Sequence, residues 1–181
     1  MSGITLHTTT AYQKDDYGNI VVPVTEDILR VCKSRADNLG ELRGSIRKGK
    51  GNLVGYIGQE SVERAICGVT REDTYDYDLK CGGYRIEVKS KDRSVPPRPE
   101  YECSVAEMNH TQAADYYVFV SVFRPMSGYE TAYILGYITP VDYFKRARFM
   151  HKGDLDPSNN FVVRADCYNL PIHRLEPITY R

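Results

Sequence analysis

The sequence predicts a mixed α/β or α+β fold in which helices flank a central mixed sheet. Two helices are expected early in the chain, in EDILRVCKSRADNL and LVGYIGQESVERAI. A Gly-Gly pair in YDYDLKCGGYRIEVKSK predicts a β-hairpin, and YYVFVSVF is an apolar run typical of a strand covered on both faces. Helices before a hairpin and apolar strands after it define this fold class.

Length and composition favour one intracellular domain. We expect a single domain over residues 1–181, with a core at about 25–135 and a C-terminal elaboration at about 136–181. The 24 basic residues balance the 24 acidic ones, so any site for a polyanion must be built from local basic patches. Five scattered cysteines, with no signal pattern and no apolar run of membrane length, predict reduced thiols in a cytoplasmic protein that has no membrane partner.

Capping residues set the expected starts of the two early helices. Residues 1–24 are expected to form an irregular or edge-strand arm. Thr25 can cap the first helix, and Asn52 opens the second, which should end before Gly68. The basic, glycine-rich segment 43–51 between them is expected to be a loop.

The hairpin carries an unusual number of charges. Gly82 and Gly83 suit a two-residue turn that requires positive φ, and this turn fixes the register of the two strands. Because side chains alternate across a strand, one face is apolar and the other is charged. The expected cross-strand pairs on the charged face are Lys80 with Arg85, Asp78 with Glu87, and Asp76 with Lys89.

Further elements are expected after the hairpin. A Pro-rich loop follows, and Ser104 with Glu107 forms the pattern of a capping box for a helix through Gln112 and Ala114. The runs YYVFVSVF and TAYILGYI predict two strands, and Thr139 followed by a proline predicts the start of a short helix. The segment DLDPSNN is expected to turn and FVVRADCY to form a final strand.

The charged face of the hairpin has the composition of a metal site. Two carboxylates beside a lysine suit Mg²⁺, which prefers oxygen ligands and retains several waters. A metal ion of this kind lowers the pKa of its bound water and polarises a phosphate oxygen. Ordinary cross-strand ion pairs would explain the face less well, because Lys80 opposes Arg85 and Asp78 opposes Glu87.

The pattern resembles that of the PD-(D/E)xK nuclease superfamily, which has a restriction-endonuclease-like core with a catalytic β-hairpin. The similar segment runs from about Asn52 to Phe123. It contains an acidic residue in a helix (Glu60), an aspartate in a strand (Asp78) and the tripeptide Glu87-Val88-Lys89. Tyr77 stands where the family pattern has proline, which leaves Asp76 as an alternative to Asp78.

The resemblance implies a Mg²⁺-dependent nuclease, in which Mn²⁺ can replace Mg²⁺. Asp78, Glu87 and the Val88 carbonyl would bind the metal, and Lys89 would position the attacking water. Glu60 would hold a metal-bound water, with Glu63 as the alternative, unless Glu60 is only a surface residue paired with Arg64. Gln112, a polar residue downstream, would contact the site or the DNA, and His110 could contact the DNA.

Local basic residues are the candidates for contact with DNA. Phosphate contacts of this kind position a nucleic acid without reading its sequence. Lys145, Arg146 and Arg148 form a further, less specific patch. The expected DNA-binding residues are Arg43, Arg47, Lys48, Lys50, Lys91, Arg93 and Arg98.

Other classes of protein fit the sequence less well. The four histidines are dispersed, which disfavours a histidine-centred metal site, and no phosphate-binding glycine motif predicts a nucleotide cofactor. The alternatives to an endonuclease are an exonuclease of the same fold and a non-catalytic DNA-binding or assembly protein. A homodimer is expected if the protein cuts both strands of a duplex.

Overall fold

A computed structural model describes residues 3–38, 52–74, 76–109, 112–157 and 160–181. Five of the residues proposed above to contact DNA lie outside these ranges: Arg43, Arg47, Lys48, Lys50 and His110.

The described residues form an α+β fold. The helices are α1 (Glu26–Asn38), α2 (Asn52–Ala65) and α3 (Pro140–Arg146). The strands are β1 (His7–Thr8), β2 (Ile20–Pro23), β3 (Val69–Arg71), β4 (Leu79–Cys81), β5 (Tyr84–Arg93), β6 (Glu102–Ala106), β7 (Tyr116–Phe123), β8 (Thr131–Ile138), β9 (Arg148–Met150), β10 (Leu155–Asp156), β11 (Phe161–Val162), β12 (Cys167–Pro171) and β13 (Thr179–Tyr180).

A six-stranded mixed sheet forms the centre, with the order β2-β8-β7-β5-β4-β3. Strands β5 and β7 are parallel, and every other neighbouring pair in this sheet is antiparallel. The predicted central mixed sheet, its hairpin and its two long apolar strands are therefore confirmed. β2 lies at one edge, as expected for the N-terminal arm.

Helices α1 and α2 cover one face of this sheet. The Thr25 hydroxyl accepts a hydrogen bond from the Ile28 backbone N–H at 3.3 Å, which confirms the predicted helix cap. Ile28 and Cys32 of α1 are buried, as is Ile57 of α2, in one core with the apolar side of the hairpin. Both predicted early helices are confirmed.

A second sheet, with the order β6-β12-β9, covers the opposite face together with α3. Tyr143 of α3 is fully buried against Tyr117 and Phe119 of β7. Its hydroxyl lies 2.9 Å from the backbone oxygens of Cys103 and Tyr168. The central sheet is therefore flanked by helices on one face and mainly by strands on the other.

The helix predicted through Ser104, Gln112 and Ala114 is wrong. Residues 102–106 form β6, and only a short 3₁₀ turn follows at Glu107–Asn109. The burial pattern explains the difference, because Cys103 and Val105 are buried and alternate with the partly exposed Ser104, which is the period of a strand. The connection from β5 to β7 thus contains a strand and a short 3₁₀ turn, where the capping pattern predicted a helix.

The C-terminal region also differs from its prediction in part. The short helix after Thr139 is confirmed, and the Thr139 hydroxyl caps it by accepting from the Asp142 N–H at 3.1 Å. The single strand predicted in FVVRADCY is instead divided between β11 and β12. Between these strands, the Val163 N–H donates to the Asp154 carbonyl and the Val163 carbonyl accepts from the Gly153 N–H, both at 2.8 Å.

Candidate active site

The hairpin predicted from Gly82 and Gly83 has the expected turn, with φ values of 55° and 86°. Lys80 pairs with Arg85 as predicted, but the ladder ends at Leu79 opposite Ile86. The two pairings predicted beyond that point, Asp78 with Glu87 and Asp76 with Lys89, are therefore wrong.

The ladder ends because Asp78 leaves the strand. Its backbone N–H donates to the Ile86 carbonyl at 3.0 Å, which is one residue out of register. Its carboxylate then provides the hydrogen bond that a continued β4 strand would have made to β5, since Oδ2 accepts from the Val88 N–H at 2.8 Å. The N–H and C=O of a strand residue point to the same side, so the Val88 carbonyl also points toward the strand edge at Asp78.

Glu87, Lys89 and Gln112 form a closed hydrogen-bonded cluster beside that edge. The Lys89 ammonium donates to Glu87 Oε1 at 2.9 Å and to Gln112 Oε1 at 2.6 Å. The Gln112 amide in turn donates to Glu87 Oε1 at 3.2 Å. Gln112 thus reaches the site, as predicted, although it follows a 3₁₀ turn and lies in no helix.

Two carboxylates are held close together at this edge. Burial, together with the negative charge of Glu87, raises the pKa of Asp78 to about 7. Lys89 partly offsets the repulsion between the carboxylates, and its side chain is only 12% exposed. Added positive charge at this position would therefore stabilise the ionised form of Asp78.

The donor atoms at this edge are compatible with a hard divalent cation. The Asp78 and Glu87 carboxylates and the Val88 carbonyl supply oxygen ligands of the type that Mg²⁺ prefers, with water completing the coordination. Within the described ranges, no three His, Cys, Asp or Glu side chains are grouped to hold a metal ion. The site therefore offers two carboxylates and one backbone oxygen.

Asp76, the alternative to Asp78, acts electrostatically on Arg85. The hydrogen bond and ion pair with Asp115 raise the pKa of Arg85, and the negative charge of Asp76 adds a smaller contribution. Asp115 lies 2.8 Å from the Arg85 guanidinium, which explains how Arg85 is accommodated opposite Lys80. Of the two aspartates, Asp78 is the one whose carboxylate binds the Val88 N–H.

Sequence reasoning missed two residues of this site. Gln59 of α2 donates to Asp78 Oδ1 at 2.7 Å, so this helix reaches the hairpin through an amide. Tyr117 is fully buried with its ring 5.5 Å from the Lys89 ammonium, and its hydroxyl has no hydrogen-bond partner in the described part of the chain. The parallel register of β5 and β7 places Tyr117 beside Glu87.

Glu60 lies in a cluster of arginines. Its Oε2 accepts from Arg35 at 2.6 Å and its Oε1 from Arg64 at 2.7 Å, while Arg71 lies 3.4 Å away. Burial acts to raise the pKa of Glu60, but the hydrogen bonds from the arginines outweigh it and hold the pKa below its ordinary value. The pairing of Glu60 with Arg64, considered above as the alternative to a metal role, is present.

Glu60 nevertheless connects to the hairpin indirectly. Arg71 also donates to Gln59 Oε1 at 2.9 Å, and the Gln59 amide donates to Asp78. A chain of contacts therefore runs from Glu60 through Arg71 and Gln59 to Asp78. Glu63, the alternative to Glu60, pairs with Arg71 at 2.7 Å.

We expect Glu60→Gln to destabilise the protein by about 2–3 kcal/mol. Loss of one member of a buried ion-pair network costs about 3–5 kcal/mol, and the partial exposure of Arg35 and Arg64 lowers the expected value. Urea unfolding of the variant and of Glu100→Gln, an exposed control, measures the effect. Equal stability of the two variants would show that the arginine cluster contributes little.

The basic residues that follow Lys89 have few counter-charges. Lys91 lies 3.4 Å from the Ser104 hydroxyl, and Arg93 donates to the Ser121 hydroxyl at 3.1 Å and the Glu102 carbonyl at 2.9 Å. Burial lowers the pKa of both cations, and repulsion from Arg93 lowers that of Lys91 further.

The other described basic residues proposed to contact DNA lie outside β5. Arg98 is exposed in the Pro-rich loop. Arg146 pairs with Asp142, and Arg148 pairs with Glu102 at 3.2 Å. The patch predicted from Lys145, Arg146 and Arg148 is therefore partly neutralised, whereas Lys91 and Arg93 lie on β5 beyond Lys89.

A scan against protein-family models gives no match for this chain, and a search of curated proteins finds no significant relative. No helix among the described residues is both long enough and apolar enough to cross a membrane.

Proposed function

We propose that this chain is a Mg²⁺-dependent endonuclease of the PD-(D/E)xK type that hydrolyses phosphodiester bonds in DNA. The observation that carries the proposal is the pairing of the Asp78 and Glu87 carboxylates beside the Lys89 ammonium at an open strand edge. The proposal assigns the central sheet and its hairpin to a restriction-endonuclease-like core, with β6 in place of the expected helix.

Each residue of the cluster has a separate role in the proposed reaction. Asp78, Glu87 and the Val88 carbonyl would hold Mg²⁺, which would supply an activated water and neutralise charge on the phosphate. Lys89 orients that water and stabilises the negative charge that develops on the phosphate oxygens. Gln112 fixes the Lys89 ammonium at 2.6 Å, and Gln59 fixes Asp78 at 2.7 Å. Glu60 then acts through Arg71 and Gln59 as a positioning residue.

Lys91 and Arg93 are the proposed contacts to phosphates next to the bond that is cut. Side chains at every second position of a strand project from the same face, so both residues continue the row formed by Glu87 and Lys89. A phosphate beside them would offset both the burial and the repulsion from Arg93 that lower the pKa of Lys91. Arg98 in the adjacent loop is proposed to extend this contact.

We expect Lys91→Ala to weaken DNA binding without a change in sequence preference. Each phosphate contact releases counterions, so the slope of log Kd against log salt concentration should fall by about 1. Fluorescence anisotropy over a salt series measures the slope. Lys33→Ala, an exposed substitution on α1, is the matched control. An unchanged slope for Lys91→Ala would remove this residue from the interface.

Cleavage of a panel of nucleic acids tests the proposed function. Wild-type protein is incubated with circular and linear duplex DNA, single-stranded DNA and RNA, each in Mg²⁺, in Mn²⁺ and in EDTA. Cutting of closed circles in either metal but not in EDTA supports an endonuclease. Degradation of linear DNA alone would indicate an exonuclease. Survival of every substrate would leave a non-catalytic binding or assembly protein.

A further inference from the structure

A cleft of about 370 Å³ opens next to the proposed metal site. Tyr56 and Gln59 of α2 line one side, Arg35 and Asn38 of α1 line another, and Asp78 lies on the hairpin side. The volume falls within the range of roughly 300–1,000 Å³ that is usual for small-ligand sites. Because Asp78 belongs to both the cleft and the proposed metal site, the cleft adjoins the position of the reacting phosphate.

The lining of the cleft suits a nucleobase better than a phosphate. Its one cation, among the described lining residues, is Arg35, and this guanidinium is already bound to Glu60 at 2.6 Å. Two carboxylates, those of Asp73 and Asp78, also line the cleft, and Asp73 is paired with Arg71 at 3.0 Å, so the described lining offers no unpaired cation to a phosphate. The Gln59 amide is held by Asp78 and Arg71, so the half-buried ring of Tyr56 and the exposed amide of Asn38 remain to recognise a ligand.

These groups match the chemistry of an unpaired base. Stacking of a base on an aromatic side chain is worth about 1–3 kcal/mol and tolerates any base. Amide side chains supply both donors and acceptors for the edge of a base that is free of its pairing partner. A base inside a duplex is stacked on both faces and cannot enter a lateral cleft without being extruded.

We propose that the cleft receives one unpaired base of the DNA, stacked on Tyr56, next to the phosphodiester bond that is cut. This inference rests on the proposed nuclease function and specifies its substrate class. The substrate is DNA with an unpaired nucleotide at the cleavage position, as in a single strand, a bulge or a junction. Fully paired duplex is a poorer substrate because an extruded base costs a few kcal/mol in stacking and pairing.

Fluorescence of 2-aminopurine tests the inference directly. Single-stranded and bulged oligonucleotides carrying this base are titrated with protein in Ca²⁺, together with a fully paired duplex. We expect wild type and Tyr56→Phe to quench the fluorescence of the unpaired base, because both retain the ring. We expect Tyr56→Ala to lose the quenching and to bind the single strand roughly tenfold more weakly, in line with one lost stacking contact.

Controls separate this inference from the proposed function. Tyr17→Ala removes a tyrosine that is 58% exposed and lies outside the cleft lining, and it should behave as wild type. If wild type cuts DNA in Mg²⁺ but Tyr56→Ala binds and quenches as wild type does, the cleft proposal alone is overturned. If wild type neither binds nor cuts any of these DNAs, the nuclease proposal falls with it.

Discussion

Lys89→Ala is expected to reduce Mg²⁺-dependent DNA cleavage by roughly 10²- to 10⁴-fold, the range for loss of one group that acts in proton transfer or charge stabilisation. The ammonium of Lys89 is held by Glu87 at 2.9 Å and Gln112 at 2.6 Å, so it has a fixed position beside the carboxylates. Single-turnover rates on an oligonucleotide in saturating Mg²⁺ measure the effect on the chemical step.

Two further variants make this result interpretable. Lys89→Met keeps most of the side-chain volume without the charge, so it separates lost chemistry from altered packing. Lys80→Ala removes a partly exposed lysine from the same hairpin, where it pairs with Glu72, and should cleave at the wild-type rate. Wild-type rates for both Lys89 variants would refute the role of this ammonium.

Asp78→Asn is expected to abolish tight Mg²⁺ binding and, in metal-free buffer at pH 8, to stabilise the fold by about 1–3 kcal/mol. The stabilisation follows from the charge at this site. Burial and Glu87 raise the pKa of Asp78 to about 7, so ionising Asp78 in the folded protein costs free energy that the neutral amide avoids.

The effect has a defined pH window. The unfolded chain loses the Asp78 proton near pH 4, whereas the folded chain retains it up to about pH 7. Between these values the folded state binds more protons, so the contribution of this group to the free energy of unfolding decreases as pH rises. Metal-free wild type should therefore approach the stability of Asp78→Asn near pH 4.5 and fall below it by pH 8.

Thermal unfolding at pH 4.5 and pH 8, combined with calorimetric titration of Mg²⁺, measures both effects. Mg²⁺ should raise the Tm of wild type at pH 8 and leave that of Asp78→Asn unchanged, because ligand binding stabilises only a state that binds it. Asp76→Asn is the matched control and should follow wild type. Equal Mg²⁺ binding by wild type and Asp78→Asn would remove Asp78 from the metal site.

Short sequence patterns correctly predicted the features of the fold that depend on interactions between neighbouring residues. Thr25 caps α1, and the pair Gly82-Gly83 makes the hairpin turn, because cap and turn geometry depend on a few adjacent residues. The tripeptide Glu87-Val88-Lys89 also predicted correctly which side of β5 is charged, because this too depends only on adjacent residues. Side-chain alternation along one strand is enough to bring its two charged residues together.

Long-range pairing determined what the sequence did not predict. β6 forms a strand because it pairs with β12, so that Ser104 lies opposite Asn169, which is 65 residues away. No local pattern shows this partner, and the Ser104–Glu107 spacing favoured a helix instead. The second sheet on the face that carries Lys89 was therefore not expected.

Side-chain contacts to the backbone also changed the site. The hairpin register placed Asp78 opposite Glu87 in a regular ladder, but the Asp78 carboxylate binds the Val88 N–H and ends the strand. Glu60 matched the expected position on α2, yet the arginines of three separate elements bind it, and its neighbour Gln59 reaches Asp78. Contacts between charged residues that are far apart in the sequence depend on the fold, so no residue spacing in the sequence predicts them.

Supercoiled plasmid is the most sensitive substrate for the central claim, because a single cut among all its phosphodiester bonds changes its electrophoretic mobility. Wild type and Lys89→Ala, purified in parallel, are incubated with plasmid in Mg²⁺ and in EDTA. We predict nicked or linear plasmid with wild type in Mg²⁺ alone, and intact plasmid in the other three reactions. Intact plasmid in all four reactions together with intact single-stranded DNA under the same conditions, or equal cutting by Lys89→Ala, would contradict the assignment of this cluster as a nuclease active site.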